Sequence, residues 1–334
     1  MSHQFESGFF VARAAWHGLG TVLQDPPTPE QAIVQAGLDW RVLEEPVYQT
    51  QGQDLPVVLC KHLIRDRDRK RLSTVKPTYT PLQNQDACRW FAPLVEQGKV
   101  VLEAAGSLQG GKRIWLLGRI TSTEAEICPH DWVRPYLLLH NSHDGSTAVW
   151  LQFTPVRVVC MNTLCAAASS RFGDLWQRKG ICIPHTLALQ EQLEKAQELL
   201  DCTQKEFQFS VEEYQAMANQ EMDSEMLTGY LGRVLGSRRP RQHPYWGQLT
   251  ANFERGPGNQ GRTLWHAYNA VTDWIDRQQP LSAEEQLEFT WFGAGARLRV
   301  KAHQAALGLI DCHRQVQRSQ SRKRRSATNL VSSS

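Results

Sequence analysis

Several features that mark whole classes of protein are missing from this chain. The first ten residues, MSHQFESGFF, contain no basic segment followed by an apolar one, which is the pattern of a secretory leader. The uncharged apolar stretches, such as residues 136–139, fall far short of the roughly 20 residues that span a bilayer. We therefore expect a soluble, cytoplasmic protein with no membrane partner.

Sequence motifs of the common catalytic and disulfide-bonded classes are also missing. The eight cysteines include no C-x-x-C pair, and the chain is long and lacks a leader, so we expect no disulfides. No G-x-S-x-G, no H-E-x-x-H and no suitably spaced pair of carboxylates occurs. The sequence therefore contains no recognisable catalytic motif, and we favour a protein that is not an enzyme.

Two glycine-rich segments match nucleotide-binding spacings without their structural context. Residues 106–112 spell G-x-x-x-x-G-K, but Arg113 stands where a Ser or Thr would hold magnesium, and a strand-like segment follows where a helix is needed. Residues 256–261 match G-x-G-x-x-G, but no strand precedes them. We therefore predict loops at both positions and expect no cofactor.

Excess positive charge is confined to the end of the chain. The whole sequence has 37 Lys and Arg against 34 Asp and Glu, and residues 311–334 carry six of the bases and one of the acids. The remaining body therefore has two more acids than bases. Bulk charge gives no reason to expect a nucleic-acid partner, so such a partner must be recognised through local basic patches.

Length and composition fit an ordinary globular protein of about two domains. The chain has 334 residues, of which 41% are hydrophobic. Its patterns predict an α+β fold, in which an antiparallel, hairpin-rich sheet packs with helices and a mostly helical C-terminal region follows. We place the α+β core at residues 1–186, the helical region at 187–314 and a disordered basic tail at 315–334.

Three hairpins are predicted in the core. Strands at residues 56–65 and 72–76 flank a basic tip, strands at 100–105 and 113–120 flank a glycine-rich turn, and strands at 136–141 and 147–154 flank residues 142–145. In the third, Asp144-Gly145 matches the preference of a type I′ turn. Helices are predicted from Asn84, which would be its N-cap, to Gly98, and over residues 162–171.

Basic side chains and tryptophans give the candidate nucleic-acid-binding residues. The cations would contact phosphates and the indoles would stack on unpaired bases. Alternatives remain open: the tips are ordinary solvated turns with their own acids, Arg157 pairs with a core carboxylate, and the tryptophans are core residues. The candidates are Arg65, Arg67, Arg69, Lys70, Arg71, Lys112, Arg113, Trp115, Arg157, Arg171 and Trp176.

A metal site is the alternative chemistry. His140, His143, Asp144 and His185 carry the ligand atoms that zinc prefers, and Asn162 adds an amide. Their spacing matches no standard zinc motif, and turn histidines are commonly solvated. We therefore expect no metal, with a metal-dependent hydrolase as the competing hypothesis.

Several motifs together resemble one known family. They are WHGLG at residues 16–20, AGLDW at 36–40, YTPLQN at 79–84, AGSLQGG at 105–111, NSHDGS at 141–146 and TPVRVVCMNTL at 154–164, followed by His185-Thr186. These resemble the phage/plasmid-like proteins, a family described only as a domain of unknown function. The resemblance covers roughly residues 10–310 and implies a protein of mobile elements acting in the bacterial cytoplasm.

A second resemblance is architectural. Consecutive hairpins followed by a helix ending at residues 170–173 look like the β-β-β-α core of the single-strand annealing proteins RecT, Erf and Red beta. Those proteins form rings or filaments and pair DNA strands without nucleotide hydrolysis. We therefore expect a non-enzymatic DNA-binding protein that anneals single-stranded DNA as a homo-oligomer. The rivals are the metal-dependent hydrolase and an interaction protein that blocks a host defence factor.

Overall fold

The structure is a computed structural model that describes residues 5–12, 20–49, 57–158, 162–163, 181–197, 200–277, 289–290 and 294–331. Its strands are β1 Phe5–Val11, β2 Thr21–Leu23, β3 Val42–Gln49, β4 Val57–Arg65, β5 Arg71–Val75, β6 Val100–Leu108, β7 Arg113–Ile120, β8 Ala125–Cys128, β9 Asp131–Ser142, β10 Val149–Arg157, β11 Asn162–Thr163 and β12 Ile181–Ile183. Its helices are α1 Pro29–Gln35, α2 Asn84–Glu96, α3 Leu189–Gln197, α4 Leu200–Ala218, α5 Ser224–Leu235, α6 Trp246–Arg255, α7 Leu264–Arg277 and α8 Ala294–Val331.

The strands form two sheets. The larger has the order β11-β10-β9-β7-β6-β1-β2, with β12 paired to β10 and β8 paired to β9; the smaller has the order β3-β4-β5. The pairings are antiparallel except that of β1 with β2. The predicted α+β class, with its hairpin-rich antiparallel sheet and helical C-terminal region, is confirmed.

All three predicted hairpins form, as β4–β5, β6–β7 and β9–β10. The third differs in its turn. Strand β9 ends at Ser142 and β10 begins at Val149, so the connection has six residues, and Gly145 has a positive φ whereas Asp144 does not. A two-residue type I′ turn requires positive φ at both central positions, so this prediction is corrected to a longer loop.

One hydrophobic core extends through both the sheets and the helical region. It includes Phe9 and Leu116 from the large sheet, Leu63 from the small sheet, and Trp265 and Ile310 from the helices. A smaller cluster on the opposite face of the large sheet contains Ala104, Leu108, Trp115 and Leu138. Residues 187–314 therefore share their core with the sheet that precedes them.

Helix α8 changes the interpretation of the C-terminal segment. It continues to Val331, so residues 315–331 are helical where the sequence predicts a disordered tail. Ala, Arg, Lys and Gln in this segment are good helix formers, and extending an existing helix avoids the cost of nucleating a new one. The predicted helix over residues 162–171 lies largely outside the described residues, and Asn162 and Thr163 form the short strand β11.

No helix in the described part of the chain is long and apolar enough to cross a membrane.

Candidate nucleic-acid interface

The two basic hairpin tips predicted from the sequence lie against each other. The Lys70 ammonium, at the tip of β4–β5, lies directly over Gly110 in the β6–β7 turn. Gly110 and Gly111 both have positive φ, which lets the turn close tightly without the strain that a side chain would bring. A Cβ at Gly111 would lie 3.0 Å from the Arg65 guanidinium and 3.1 Å from the Trp40 ring. The turn therefore fits closely into the neighbouring tip.

Five cations remain at least partly exposed at this junction, which we call the tip surface: Arg67, Arg69, Lys70, Arg71 and Lys112. Arg69 pairs with Glu45, and Arg67 lies 3.9 Å from a carboxylate oxygen of Glu6. Among the described residues, Lys70, Arg71 and Lys112 have no carboxylate within ion-pair distance. The tip surface thus presents three unpaired cations together with two that have acidic neighbours.

Arg65 belongs to the same tip but is committed to structural contacts. Its side chain is buried, donates two hydrogen bonds of 2.8 Å and 2.6 Å to Asp68 and a third of 2.5 Å to Glu6, and lies over the Trp40 ring. The hydrogen bonds from Arg65 hold the pKa of the Asp68 carboxyl well below its usual range. Arg65 therefore stabilises the tip, and its guanidinium is not available to a phosphate.

Trp115 and Arg113 both lie on β7, two residues apart. Trp115 is fully buried in the smaller cluster, with its ring 5.7 Å from that of Phe10. Arg113 is half-buried at the start of the strand and is engaged within the molecule. A buried indole cannot stack on a base. Trp115 is therefore a core residue, which is the alternative to base stacking for the tryptophans.

Arg157 forms the most completely satisfied ion pair of the described chain. Its Nε and Nη2 donate to Asp131 at 2.5–2.9 Å, and its remaining donors reach the carbonyl oxygens of Pro257 and Gly258 and the Asn259 side chain. Trp265 donates a further bond of 2.7 Å to Asp131. We call this arrangement the Arg157 clamp. The glycine-rich loop 256–261 therefore turns its carbonyls toward a guanidinium, which is the opposite of a phosphate cradle.

His143 is buried behind the third hairpin and is held by an amide. Its Nε2 lies 2.9 Å from Oδ1 of Asn84, whose Nδ2 donates to the carbonyls of Leu38 and Trp40. The Asn84 amide oxygen therefore accepts a hydrogen bond from the Nε2–H of the imidazole, and burial lowers the pKa of His143 to about 3. Helix α2 begins at Asn84 and is preceded by Gln83 as N-cap, so Asn84 does not have the capping role predicted for it.

His140 points to the opposite face of the sheet from its neighbours on β9. Leu139 belongs to the main core and Leu138 to the smaller cluster, so alternation along the strand places His140 with Leu138. Its ring stacks near Trp150 at 6.5 Å between centroids. Burial, and secondarily the charge of Arg113, lowers the pKa of His140 to about 3. His140 and His143 are therefore separated by the sheet and cannot ligate one ion.

Asp144 and His185 share an open cleft of about 640 Å³ between the β4–β5 hairpin and the β9–β10 loop. The His185 ring stacks on Tyr79 at 4.4 Å, and its Nδ1 lies 3.0 Å from the Thr80 carbonyl. Tyr79 donates a hydrogen bond of 2.9 Å to the Ser142 carbonyl, and burial raises its pKa. Lys76 and Thr74 also line the cleft.

The predicted metal ligands thus fall at three places: His140 on one face of the sheet, His143 behind the hairpin, and Asp144 with His185 in the cleft. Within the described residues, no group of three or more His, Cys, Asp or Glu side chains could hold a metal ion. The side chain of Asn162 and the candidates Arg171 and Trp176 lie outside the described residues.

Two features of the structure were missed at the sequence level. The first is that Asn84 and Tyr79 support the third hairpin, a role for which their place in the YTPLQN motif was the only signal. The second is the loop between α5 and α6, which carries Arg238, Arg239 and Arg241 with exposed side chains. The run SRRPR, without any acid, is the signal that could have identified it.

A family model described as "Domain of unknown function (DUF932)" matches residues 71–328. The chain belongs to this family. The DUF932 match begins at Arg71 in β5 and includes Lys112, the cleft residues Asp144 and His185, and the α5–α6 loop, while the rest of the first hairpin tip precedes it. No curated protein and no solved structure matches the chain.

Proposed function

We propose that the protein is a non-enzymatic DNA-binding protein of a mobile element that binds single-stranded DNA and anneals complementary strands. The observation that carries the proposal is the junction of the two basic hairpin tips, where Lys70 lies over Gly110 and beside the tip that bears Lys112. Cations brought together from separate strands form a local patch on a body that is nearly neutral in total charge. Such a patch attracts a phosphate backbone without reading its sequence.

The candidate set is narrower than the one predicted from sequence. Arg65 and Arg157 are buried in ion pairs and Trp115 lies in the core, so these three have structural roles in the proposal. Arg67, Arg69, Lys70, Arg71 and Lys112 carry the phosphate contacts. Annealing in a ring or filament on phage or plasmid DNA, in the bacterial cytoplasm, is part of the same proposal and draws on the resemblances given by the sequence.

The proposal is tested by neutralising the three unpaired cations of the tip surface. The triple variant Lys70→Ala, Arg71→Ala and Lys112→Ala is titrated against fluorescent single-stranded oligonucleotides of several sequences at a series of salt concentrations. We expect weaker binding for all sequences, and a slope of log affinity against log salt reduced by about 0.7 for each phosphate that the variant no longer neutralises.

The matched control is the triple variant Lys99→Ala, Lys205→Ala and Arg262→Ala, which removes the same charge from exposed positions elsewhere. Equal reductions in affinity for both variants would show a general charge effect and contradict the tip surface. Electron microscopy with and without single-stranded DNA tests the annealing part, because annealing proteins assemble into extended rings or filaments. A wild-type protein that does not bind DNA at low salt would reject the function.

A further inference from the structure

The connection between α5 and α6 concentrates positive charge on the helical side of the molecule. Helix α5 ends at Leu235 and is capped by Gly236, which has a positive φ in the left-handed conformation. A short 3₁₀ turn, Pro240–Gln242, follows. Residues 237–244 include Arg238, Arg239 and Arg241 and no Asp or Glu, and all three arginines are exposed.

Two further cations, one on α5 and one on α8, extend this group. A Cβ on Gly236 would lie 3.3 Å from the Lys301 ammonium of α8, and a Cβ on Gly308 would lie 3.9 Å from the Arg233 guanidinium of α5. Two segments that are distant in sequence, residues 233–241 and helix α8, therefore contribute to one surface. We call it the basic corner: Arg233, Arg238, Arg239, Arg241 and Lys301.

Among the described residues, the five cations of the basic corner lack acidic partners, unlike the exposed arginines that form ion pairs on the surface. Arg69, Arg89 and Arg134 each pair with a carboxylate. In the described part of the chain, no carboxylate lies within ion-pair distance of any of the five residues of the corner; Arg241 reaches only the Thr228 hydroxyl, at 3.4 Å. Five like charges repel one another. A favourable interaction with the helix dipole accounts for the position of Arg233 at the end of α5, but it does not account for the other four cations.

The backbone that carries these arginines is fixed by its own hydrogen bonds. Ser237 N donates to the Gly232 carbonyl at 3.0 Å, Gln242 N to the Arg239 carbonyl at 3.0 Å and His243 N to the Pro240 carbonyl at 3.0 Å. The guanidinium groups therefore extend from a defined loop, and less conformational entropy is lost when they engage a ligand.

We infer that the basic corner binds the phosphate backbone of single-stranded DNA, as a second contact surface besides the tip surface. This inference rests on the proposed function. The guanidinium group is planar, always charged and able to bind phosphate oxygens in a bidentate manner. A cluster of arginines without carboxylate partners therefore matches a polyanion with regularly spaced phosphates.

The test uses the full chain and the variant Arg238→Ala, Arg239→Ala and Arg241→Ala, which leaves Arg233 and Lys301 on the two helices in place. Binding to an oligo-dT of about 40 nucleotides is measured at several salt concentrations, beside the wild type, the tip-surface variant and the Lys99, Lys205 and Arg262 control. We expect affinity to fall at least tenfold at moderate salt, and the salt slope to decrease by about 2, since three phosphates keep their counterions when the arginines are absent.

The outcomes separate the inference from the function on which it rests. If the wild type binds and the corner variant binds equally well with an unchanged salt slope, the inference is overturned and the function stands. If the wild type does not bind, both are overturned. If the corner variant keeps its DNA affinity but no longer binds a poly-glutamate peptide that the wild type binds, the corner is assigned to an acidic protein partner, which also overturns the inference. Unchanged thermal unfolding confirms that the variant is folded.

Discussion

At the scale of single residues, some side chains predicted from the sequence to bind DNA are buried in the structure. Arg157 and Trp115 have the right chemical groups for DNA, but their neighbours on the strands decide which way they face. Arg157 meets Asp131 across the β9–β10 ladder, and Trp115 faces Phe10. The alternation of apolar and polar residues predicts that a strand has two different faces. It does not predict which element packs on each face, so the buried partners of Arg157 and Trp115 could not be predicted.

Replacing Arg157 with Ala should destabilise the protein by about 3–5 kcal/mol, because Asp131 would remain as a buried carboxylate without its guanidinium. The comparison is Arg134→Ala, which breaks the pair with Glu124 on the surface and should cost at most about 1 kcal/mol. Urea denaturation followed by circular dichroism measures both. Similar midpoints for the two variants would contradict a structural role for the clamp.

The two buried histidines should make the free energy of unfolding depend on pH. In the unfolded chain a histidine takes up a proton near pH 6.5, whereas the pKa of His140 and that of His143 are lowered to about 3 in the folded protein. Stability is therefore fully present above pH 6.5 and falls as pH decreases toward 3, by about 1.4 kcal/mol per pH unit for each histidine. Denaturation at pH 7.0, 6.0 and 5.0 measures this slope.

His143→Gln should reduce that slope, because it removes one of the two buried histidines. A slope that is the same in the wild type and the variant would show that His143 does not produce the acid sensitivity. Chelator added to the wild type tests for a bound metal, since it should not alter unfolding if no metal is present.

At the scale of elements, prediction from sequence succeeded where turn residues and alternation agreed. The hairpins β4–β5 and β6–β7 were predicted because polar or glycine-rich tips separate apolar runs. The contact between their tips was not predictable, since β5 and β6 are separated by helix α2 in the chain and meet only in the folded state. Lys301 also joins the arginines of the basic corner only through the packing of α5 against α8.

The β6–β7 turn gives a prediction about two adjacent glycines. Both Gly110→Ala and Gly111→Ala would force a side chain into positive φ, at about 1–2 kcal/mol. At Gly110 the new methyl group meets the flexible end of Lys70, which can move away. At Gly111 it meets the buried Trp40 ring, which cannot. Gly111→Ala should therefore lower the urea midpoint more than Gly110→Ala does, and the reverse order would contradict this packing.

At the scale of the whole molecule, the shared core determines which parts of the chain can be removed. Deleting residues 315–334 removes only the end of α8, beyond the buried Ala302, Ala306 and Ile310. The truncated protein should unfold at nearly the same temperature and show a smaller salt slope in DNA binding, because the deletion removes Lys and Arg side chains. Calorimetry and the same DNA titration check both expectations.

Deleting residues 291–334 is the comparison. It removes the three core residues and also Arg299, whose guanidinium pairs with buried Asp276, so this protein should not fold stably. A stable fold after the longer deletion would show that α8 is not part of the common core.

The Arg157 clamp also has a consequence for rates. It joins residues about 100 positions apart in sequence, and Trp265 reaches Asp131 across 134 positions. Closing such long loops is costly, so these contacts are expected to form after the local hairpins, on the native side of the folding barrier. Weakening the clamp by Asn259→Ala should then accelerate unfolding and leave the refolding rate nearly unchanged in stopped-flow measurements. The clamp would thereby set how long the sheet and the helical region stay joined once the protein has folded.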